Sequence, residues 1–234
     1  MVVKMSKWPK QLPALTKEQK EIHDDFMKYW HEEVLPRKYQ IMEGFNHGFP
    51  VKNCCHGGRV LEIGAGVGEH INHEDLTNVE YFALEMRPEM AQVIKKRFPS
   101  VNVVIGDCQK PTDFQDNFFD KVLAIHVLEH LPNLPSALKE VHRILKVDGE
   151  FCVVIPCEGG FAHRFARNIS VKPIFKKRYK MDCELYAKAE HINTAKEVIE
   201  ELKVYFTIYK ISFFPLLIHS INLNLAIGMV LKKK

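Results

Sequence analysis

No apolar run in this 234-residue chain is long enough to cross a bilayer. The longest stretches, such as ISFFPLLIH near the C-terminus, fall well short of the roughly 18–20 residues a spanning helix needs. The opening MVVKMSKWPK lacks a long apolar run followed by a small-residue cleavage site, so it does not read as a secretory signal, and the cytoplasm is the expected address. Six cysteines (54, 55, 108, 152, 157 and 183) include no CxxC pair and no Cys/His spacing suited to zinc; neither a metal site nor a disulfide framework is expected from them. Adjacent Cys54 and Cys55 read as loop or buried thiols. There is no internal repeat and no low-complexity tract. Acid is missing from one stretch: Arg164, Arg167, Lys172, Lys176, Lys177, Arg178 and Lys180 follow one another between Phe161 and Lys180 without an Asp or Glu. The overall charge of +4 is too mild to point to nucleic acid by itself.

What is present suits a soluble globular protein. Hydrophobic content of 46% against 26% charged argues against disorder, and the length fits one α/β domain with additions. From Thr16, an N-cap residue type, Ile22, Phe26, Met27, Tyr29 and Trp30 recur at near-helical intervals. The helix is expected to break around Pro36, with FNHGFPVKN as a Gly/Pro-bearing connector. Strand and helix patterns then alternate, which is the signature of a doubly wound sheet. RVLEIGA, VEYFALE, VNVVIGD, FDKVLAIHV and EFCVVIP read as strands dense enough in apolar residues to be buried on both faces. RPEMAQVIKKRF and LPSALKEVHRILK read as helices, the second ending before an Asp148-Gly149 turn. The alternation lapses between about 157 and 191, an insertion, and resumes with helix NTAKEVIEELKVYF and strands TIYKISFF and NLNLAIGMVLKKK. The link between those two strands is too short for a crossover, so they must run antiparallel.

The strongest chemical signal is VLEIGAGVGEH, where a strand ending in Glu62 feeds Gly64, Ala65, Gly66 and Gly68. Glycine there lets the backbone turn sharply and approach a ligand closely. The spacing is GxGxG; a dinucleotide fingerprint would read GxGxxG, and a P-loop would need Gly-Lys-Ser/Thr. Glu85 closes the second strand, placed to accept from a ribose diol, which suits an NAD site or an adenosine site alike. Asp107, with Cys108 after it, closes the third and offers an acceptor for an adenine amino group. All of these meet at the carboxyl edge of the sheet.

These residues resemble the class I S-adenosylmethionine-dependent methyltransferases, in particular the broad group that includes ubiquinone- and menaquinone-pathway enzymes. The resemblance runs from about Arg59 to Pro156. It implies a Rossmann-like seven-stranded mixed sheet of order 3-2-1-4-5-7-6, last strand antiparallel, with helices on both faces. It also implies S-adenosylmethionine as cofactor and S-adenosylhomocysteine as product. Gly64, Gly66 and Gly68 would flank the methionine portion, Glu85 the ribose, Met86 the adenine face and Asp107 the adenine edge, with Glu62, Ala65, Cys108 and His126 completing the cofactor set. One departure is that only EHINHEDLTN separates Gly68 from the second strand, so the crevice is either more open or covered by the N-terminal helix with Tyr29, Trp30 and Tyr39. Those aromatics suit core packing as well.

AIHVLEHLPN places His126, Glu129 and His130 beside the transferable methyl, and histidine is matched to general-base work near neutral pH. Glu-His is common at this place in the family, so bracing of the loop is the competing role. Residues 1–55 are expected to form a helical cap and 56–234 the methyltransferase domain, with residues 157–191 as substrate lid. His163, Arg164, Arg167, Tyr179 and His191 are its candidate acceptor contacts. Basic and aromatic residues together suit an anionic small-molecule acceptor with an apolar part, lipid- or sugar-linked, or contact with an anionic membrane surface. RNA or protein methylation is the alternative. The Asn/Asp-Pro-Pro-Tyr/Phe motif of amino-group methylation is absent, which disfavours nucleic acid as partner. A non-catalytic binding module is the further alternative. Neither the oligomeric state nor the methylated atom is legible.

Overall fold

Strands buried on both faces require helices on both sides of the sheet. In the computed structural model, which describes residues 7–234, β1 (Gly58–Ile63) turns Leu61 and Ile63 into one apolar core and Val60 into another. The first six residues of the opening segment lie outside the described residues. With β2 (Val79–Glu85), β3 (Asn102–Ile105), β4 (Phe119–Ile125), β5 (Leu145–Pro156), β6 (Phe206–Phe214) and β7 (Ala226–Lys233), β1 forms a seven-stranded sheet. Its order is β3-β2-β1-β4-β5-β7-β6. β7 is antiparallel to both its neighbours, and every other pairing is parallel. This is the Rossmann-like order expected above.

The helices are α1 (Lys17–Tyr29), α2 (Leu35–Lys38), α3 (Gln40–Asn53), α4 (Pro88–Arg97), α5 (Leu134–Ile144), α6 (Phe161–Ile169), α7 (Val171–Tyr179), α8 (Glu184–Glu190) and α9 (Ala195–Tyr205). α5 and α9 supply Leu134, Leu138, Val141, Val198 and Leu202 to one face. α3 and α4 supply Phe49 and Ile94 to the other. Among the described residues no helix is long and apolar enough to cross a membrane, and all six cysteines are free.

Three local expectations need correction. The N-terminal helix, begun by a capping box between Thr16 and Gln19, does not break at Pro36. A π-helical turn, Trp30–Val34, leads into α2, where Pro36 sits in the first turn and needs no backbone donor. The interruption comes at Tyr39, whose backbone is non-helical (φ −123°). FNHGFPVKN is no connector but the body of α3, because Phe49 is buried against Gly228 of β7, where even a Cβ would approach its ring to 2.5 Å. Packing overrides the low helix propensity of Gly and Pro here. The Asp148-Gly149 pair is an irregularity within β5, where the register with β4 slips between Phe119 and Lys121. The 157–191 stretch is three short helices.

The short link after Gly68 forms one 3-10 turn, His70–His73, with no room for a longer helix. It is held by charge instead. Lys121 of β4 and Glu74 have side chains only 2% and 3% exposed, and Lys121 Nζ donates to Glu74 Oε1 at 2.9 Å while His70 Nε2 lies 3.1 Å from the same oxygen. Burial opposes ionisation of Glu74, but the His70 contact and the Lys121 charge outweigh it and hold the carboxyl down to about 2. Glu74→Gln should leave Lys121 buried without its counter-charge and cost about 3–5 kcal/mol in urea unfolding at neutral pH. A depressed carboxylate contributes fully above its ordinary value of 4.5 and loses that contribution as pH falls towards 2. The gap between wild type and variant should therefore narrow on acidification.

Candidate functional site

The chain must leave β1 abruptly, and it does so through positive φ at Gly64 (66°), Gly66 (57°) and Gly68 (80°). At Gly64 a Cβ would also lie 2.5 Å from Val127 Cγ2, whereas nothing stands within 4 Å of one at Gly66, the open side of the turn. The turn is tied to β2: the amides of Gly64 and Ala65 donate to Leu84 O at 2.8 and 3.3 Å, and that of Gly66 to Glu85 Oε2 at 2.8 Å. Glu85 Oε1 accepts from the amide and Nε of Arg87 at 2.9 and 3.1 Å. Beyond β3, Asp107 Oδ1 accepts from the amide and side chain of Gln109 at 2.9 and 3.1 Å, and Oδ2 has no hydrogen bond among the described residues. Met86, next to Glu85 in the chain, stands exposed. Burial, helped by the Asp107 charge, pushes the Cys108 thiol up to about 12, so it is a neutral group.

Glu62 lies in β1, two residues before Gly64. Its carboxyl is buried and accepts from Tyr81 Oη at 2.9 Å. Burial pushes it up to about 8 against the pull of that bond, making it an internal acid beneath the turn.

The second half of the site lies at the ends of β4 and β5. His126 closes β4 with φ 52°, a strained backbone for a non-glycine residue. Its Nδ1 lies 3.1 Å from Glu129 Oε1. Glu129 is 1% exposed. Burial alone would raise its pKa, but His126, His130 and His191 together hold it down to about 2. His130 Nδ1 donates to Glu190 O at 2.6 Å and lies 3.3 Å from Glu190 Oε2. Although burial opposes it, that contact and the Glu129 charge push His130 up to about 9. His191 Nδ1 lies 2.8 Å from Glu158 Oε2, and the His130 and His191 rings meet edge to face at 5.0 Å. His163 and Arg167 approach Glu158 at 3.5 and 3.4 Å. Burial dominates at His163 and pushes it down to about 4.

Of the expected acceptor contacts, His163, Arg167 and His191 thus converge with His126, Glu129 and His130. Two do not join them. Arg164 points to solvent, and the Tyr179 hydroxyl donates to Asp25 of α1, beside Arg178. Tyr29 lies under the Arg178 guanidinium, and Trp30 packs on Phe26 and Tyr39. These aromatics thus pack among themselves and against the insert, and it is α3 that reaches the short link, with His47 stacked on His70 and His73. Two surface clefts, one by Cys55 and Asp120 at the amino edge and one by Tyr29 and Arg178, lie away from the site.

Sequence reasoning missed Glu158 and Glu190, whose carboxylates anchor the histidines, and Asn193. The buried Asn193 side chain donates to Leu128 O and Leu131 O, both at 2.8 Å, and its amide donates to Glu129 O at 3.0 Å. It buckles the Glu129–His130 turn to the start of α9. Glu-His-Ile-Asn at 190–193 was the available signal: a polar run just before an N-cap. Asn193→Ala should cost on the order of 1–3 kcal/mol, since two buried carbonyls lose their donors. In a two-dimensional NMR spectrum the His126 and His130 ring signals should shift while the Gly64–Gly68 amides stay in place.

A family model described as a methyltransferase domain matches residues 61–153. The chain is 31% identical over 99 residues to a sterol 4-C-methyltransferase of Caenorhabditis elegans, covering 40% of this chain and 29% of that protein. It is 29% identical over 112 residues to a demethylmenaquinone methyltransferase of Tropheryma whipplei, covering 47% and 45%. The chain thus spans less than half the length of these curated relatives. A solved SAM-dependent methyltransferase of Thermotoga maritima superposes with a TM-score of 0.63 over 92% of this chain and 99% of that one, at 20% identity, a likeness of fold. With a methyltransferase-domain model matching its centre and its sheet in this order, the chain is similar in sequence to methyltransferase domains and has the class I, Rossmann-like methyltransferase fold.

Proposed function

We propose that this protein transfers a methyl group from S-adenosylmethionine to a small-molecule acceptor. The observation that carries the reading is the joining of three strand ends at one edge, with Gly66 N bonded to Glu85 Oε2 at 2.8 Å and Asp107 alongside. The groups fit the cofactor. Gly66 has open space where a side chain would stand, Glu85 carries acceptor lone pairs for a ribose diol, Asp107 Oδ2 accepts from an adenine amino group, and the exposed Met86 offers an apolar face. Once bound, the sulfonium supplies an electrophilic methyl carbon. The protein's part is alignment, because an in-line displacement depends chiefly on proximity and orientation. The His126–Glu129–His130 turn stands beside the glycine turn, with Val127 packed on Gly64, and orients the acceptor or takes its proton.

The acceptor is an anionic molecule with an apolar part, and residues 157–191 are its lid. Phe161, Phe165 and Ile169 form an exposed stripe at i, i+4 and i+8 on α6, and Leu217 and Ile218 are exposed in the β6–β7 link. Arg164 stands on the same helix. Apolar surface flanked by cations suits a lipid-linked acceptor or its membrane surface. The sterol and demethylmenaquinone relatives, named for apolar acceptors, agree with this.

Calorimetry with S-adenosylhomocysteine should show one site. Glu85→Ala and Asp107→Ala should each weaken it by about 1–3 kcal/mol, roughly 5- to 150-fold. Unchanged affinity in both variants, or no binding by wild type, would contradict the reading. Labelled-cofactor assays on lipid and aqueous extracts should place the methylated product in the lipid fraction.

A further inference from the structure

We infer that Glu129, His130 and His191 form a site for one divalent first-row transition-metal ion at the carboxyl end of the sheet. One ligand atom from each residue lies within 4.8 Å of the other two. Bonds of about 2.0–2.2 Å would close that triangle with inward shifts of roughly 1 Å. Both rings are set for it. His130 Nδ1 faces a carbonyl, which only accepts, so the ring donates there and turns Nε2 inward, 3.8 Å from Glu129 Oε1, as the nitrogen that would exchange its proton for the ion. His191 Nδ1 faces the Glu158 carboxylate and is held in the same tautomer. Metal-bound histidines ordinarily hand their other N–H to a carbonyl or carboxylate in this way.

An independent observation points to a missing ligand. Glu129 is 1% exposed, yet among the described residues its Oε2 has no hydrogen-bond partner, and neither has the buried Nε2 of His126 beside it. A buried carboxylate oxygen without a donor is costly, and a cation satisfies it. Three carboxylates, Glu129, Glu158 and Glu190, stand against Arg167, His130 and His23. The ion would take the place of a proton on the His130 ring. Two imidazoles with one carboxylate suit Zn2+, Mn2+, Fe2+ or Co2+ better than the oxygen-seeking Mg2+ or Ca2+. Three protein ligands leave a position open. On the methyltransferase reading, on which only this last step rests, that position takes a hydroxyl or carboxylate oxygen of the acceptor.

The test uses the full chain, freed of metal by chelator, titrated with Zn2+ by calorimetry and with Co2+ by visible absorption. One equivalent should bind in the micromolar range or tighter. Glu129→Gln and His191→Ala should each weaken binding at least tenfold, while His56→Ala, at the opposite edge of the sheet, should not. Circular dichroism checks that the variants fold, and His191→Gln is the milder substitution. Absence of stoichiometric uptake by wild type overturns the site, whatever the variants do. So does uptake that survives Glu129→Gln and His191→Ala, or that is lost instead in His47→Ala, which would put the ion between Glu43, His47 and Glu69. Uptake by a protein that ignores S-adenosylhomocysteine would support the metal site and remove only the methyltransferase reading.

Discussion

A carboxylate withdrawn from water must be met by charge and hydrogen bonds or it will take up a proton. Glu129 is met on one oxygen by His126 at the end of β4 and His130 beside it, and His191 after α8 adds to the field that keeps it ionised. To bring them together, His126 adopts a left-handed backbone and Asn193 fastens the 128–131 turn to α9. The insert is drawn down in turn, because Glu158 and Glu190 must reach His191 and His130. The geometry of the carboxyl edge follows from the burial of this single charge.

The same edge is divided by chemistry. On the β1–β2–β3 side, the groups are backbone amides and carboxylates with spare acceptor capacity, arranged around glycines. On the β4–β5 side, they are mutually paired titratable groups under a helical cover. The boundary is the contact of Gly64 with Val127, where the glycine turn touches the histidine turn. A ligand bound to the first half would therefore end against the second.

How much of this the sequence disclosed depended on where each signal came from. The five parallel strands were legible because burial on both faces leaves dense apolar runs, and the glycine turn because positive φ at Gly64, Gly66 and Gly68 needs that residue type. The α3 helix was hidden, since Gly44, Gly48 and Pro50 argue locally for a connector and only the packing of Phe49 on Gly228 reverses that. The short link after Gly68 was read correctly as short, but its anchor, the Glu74–Lys121 pair, joins residues 47 apart and leaves no periodic trace. Glu158 and Glu190 read as ordinary polar residues for the same reason. A local pattern reports a face of a helix or strand, whereas a buried charge network is defined by contacts between distant segments.

The insert is also more than an addition to the sheet. Phe175 and Tyr186 from it pack with Phe26 of α1 in a small apolar core of their own. Asp25 on the same helix pairs with Arg178 at 2.9 Å, and His23 reaches Glu190 at 2.5 Å. Glu190 therefore has His23 on one side and His130 on the other. Since packed side chains have few alternative arrangements, α1 and the three helices of the insert form one body. It meets the sheet edge through the carboxylates of Glu158 and Glu190, which hold His191 and His130, and through the backbone, where Cys157 N donates to Leu225 O and Asn193 N to Glu129 O.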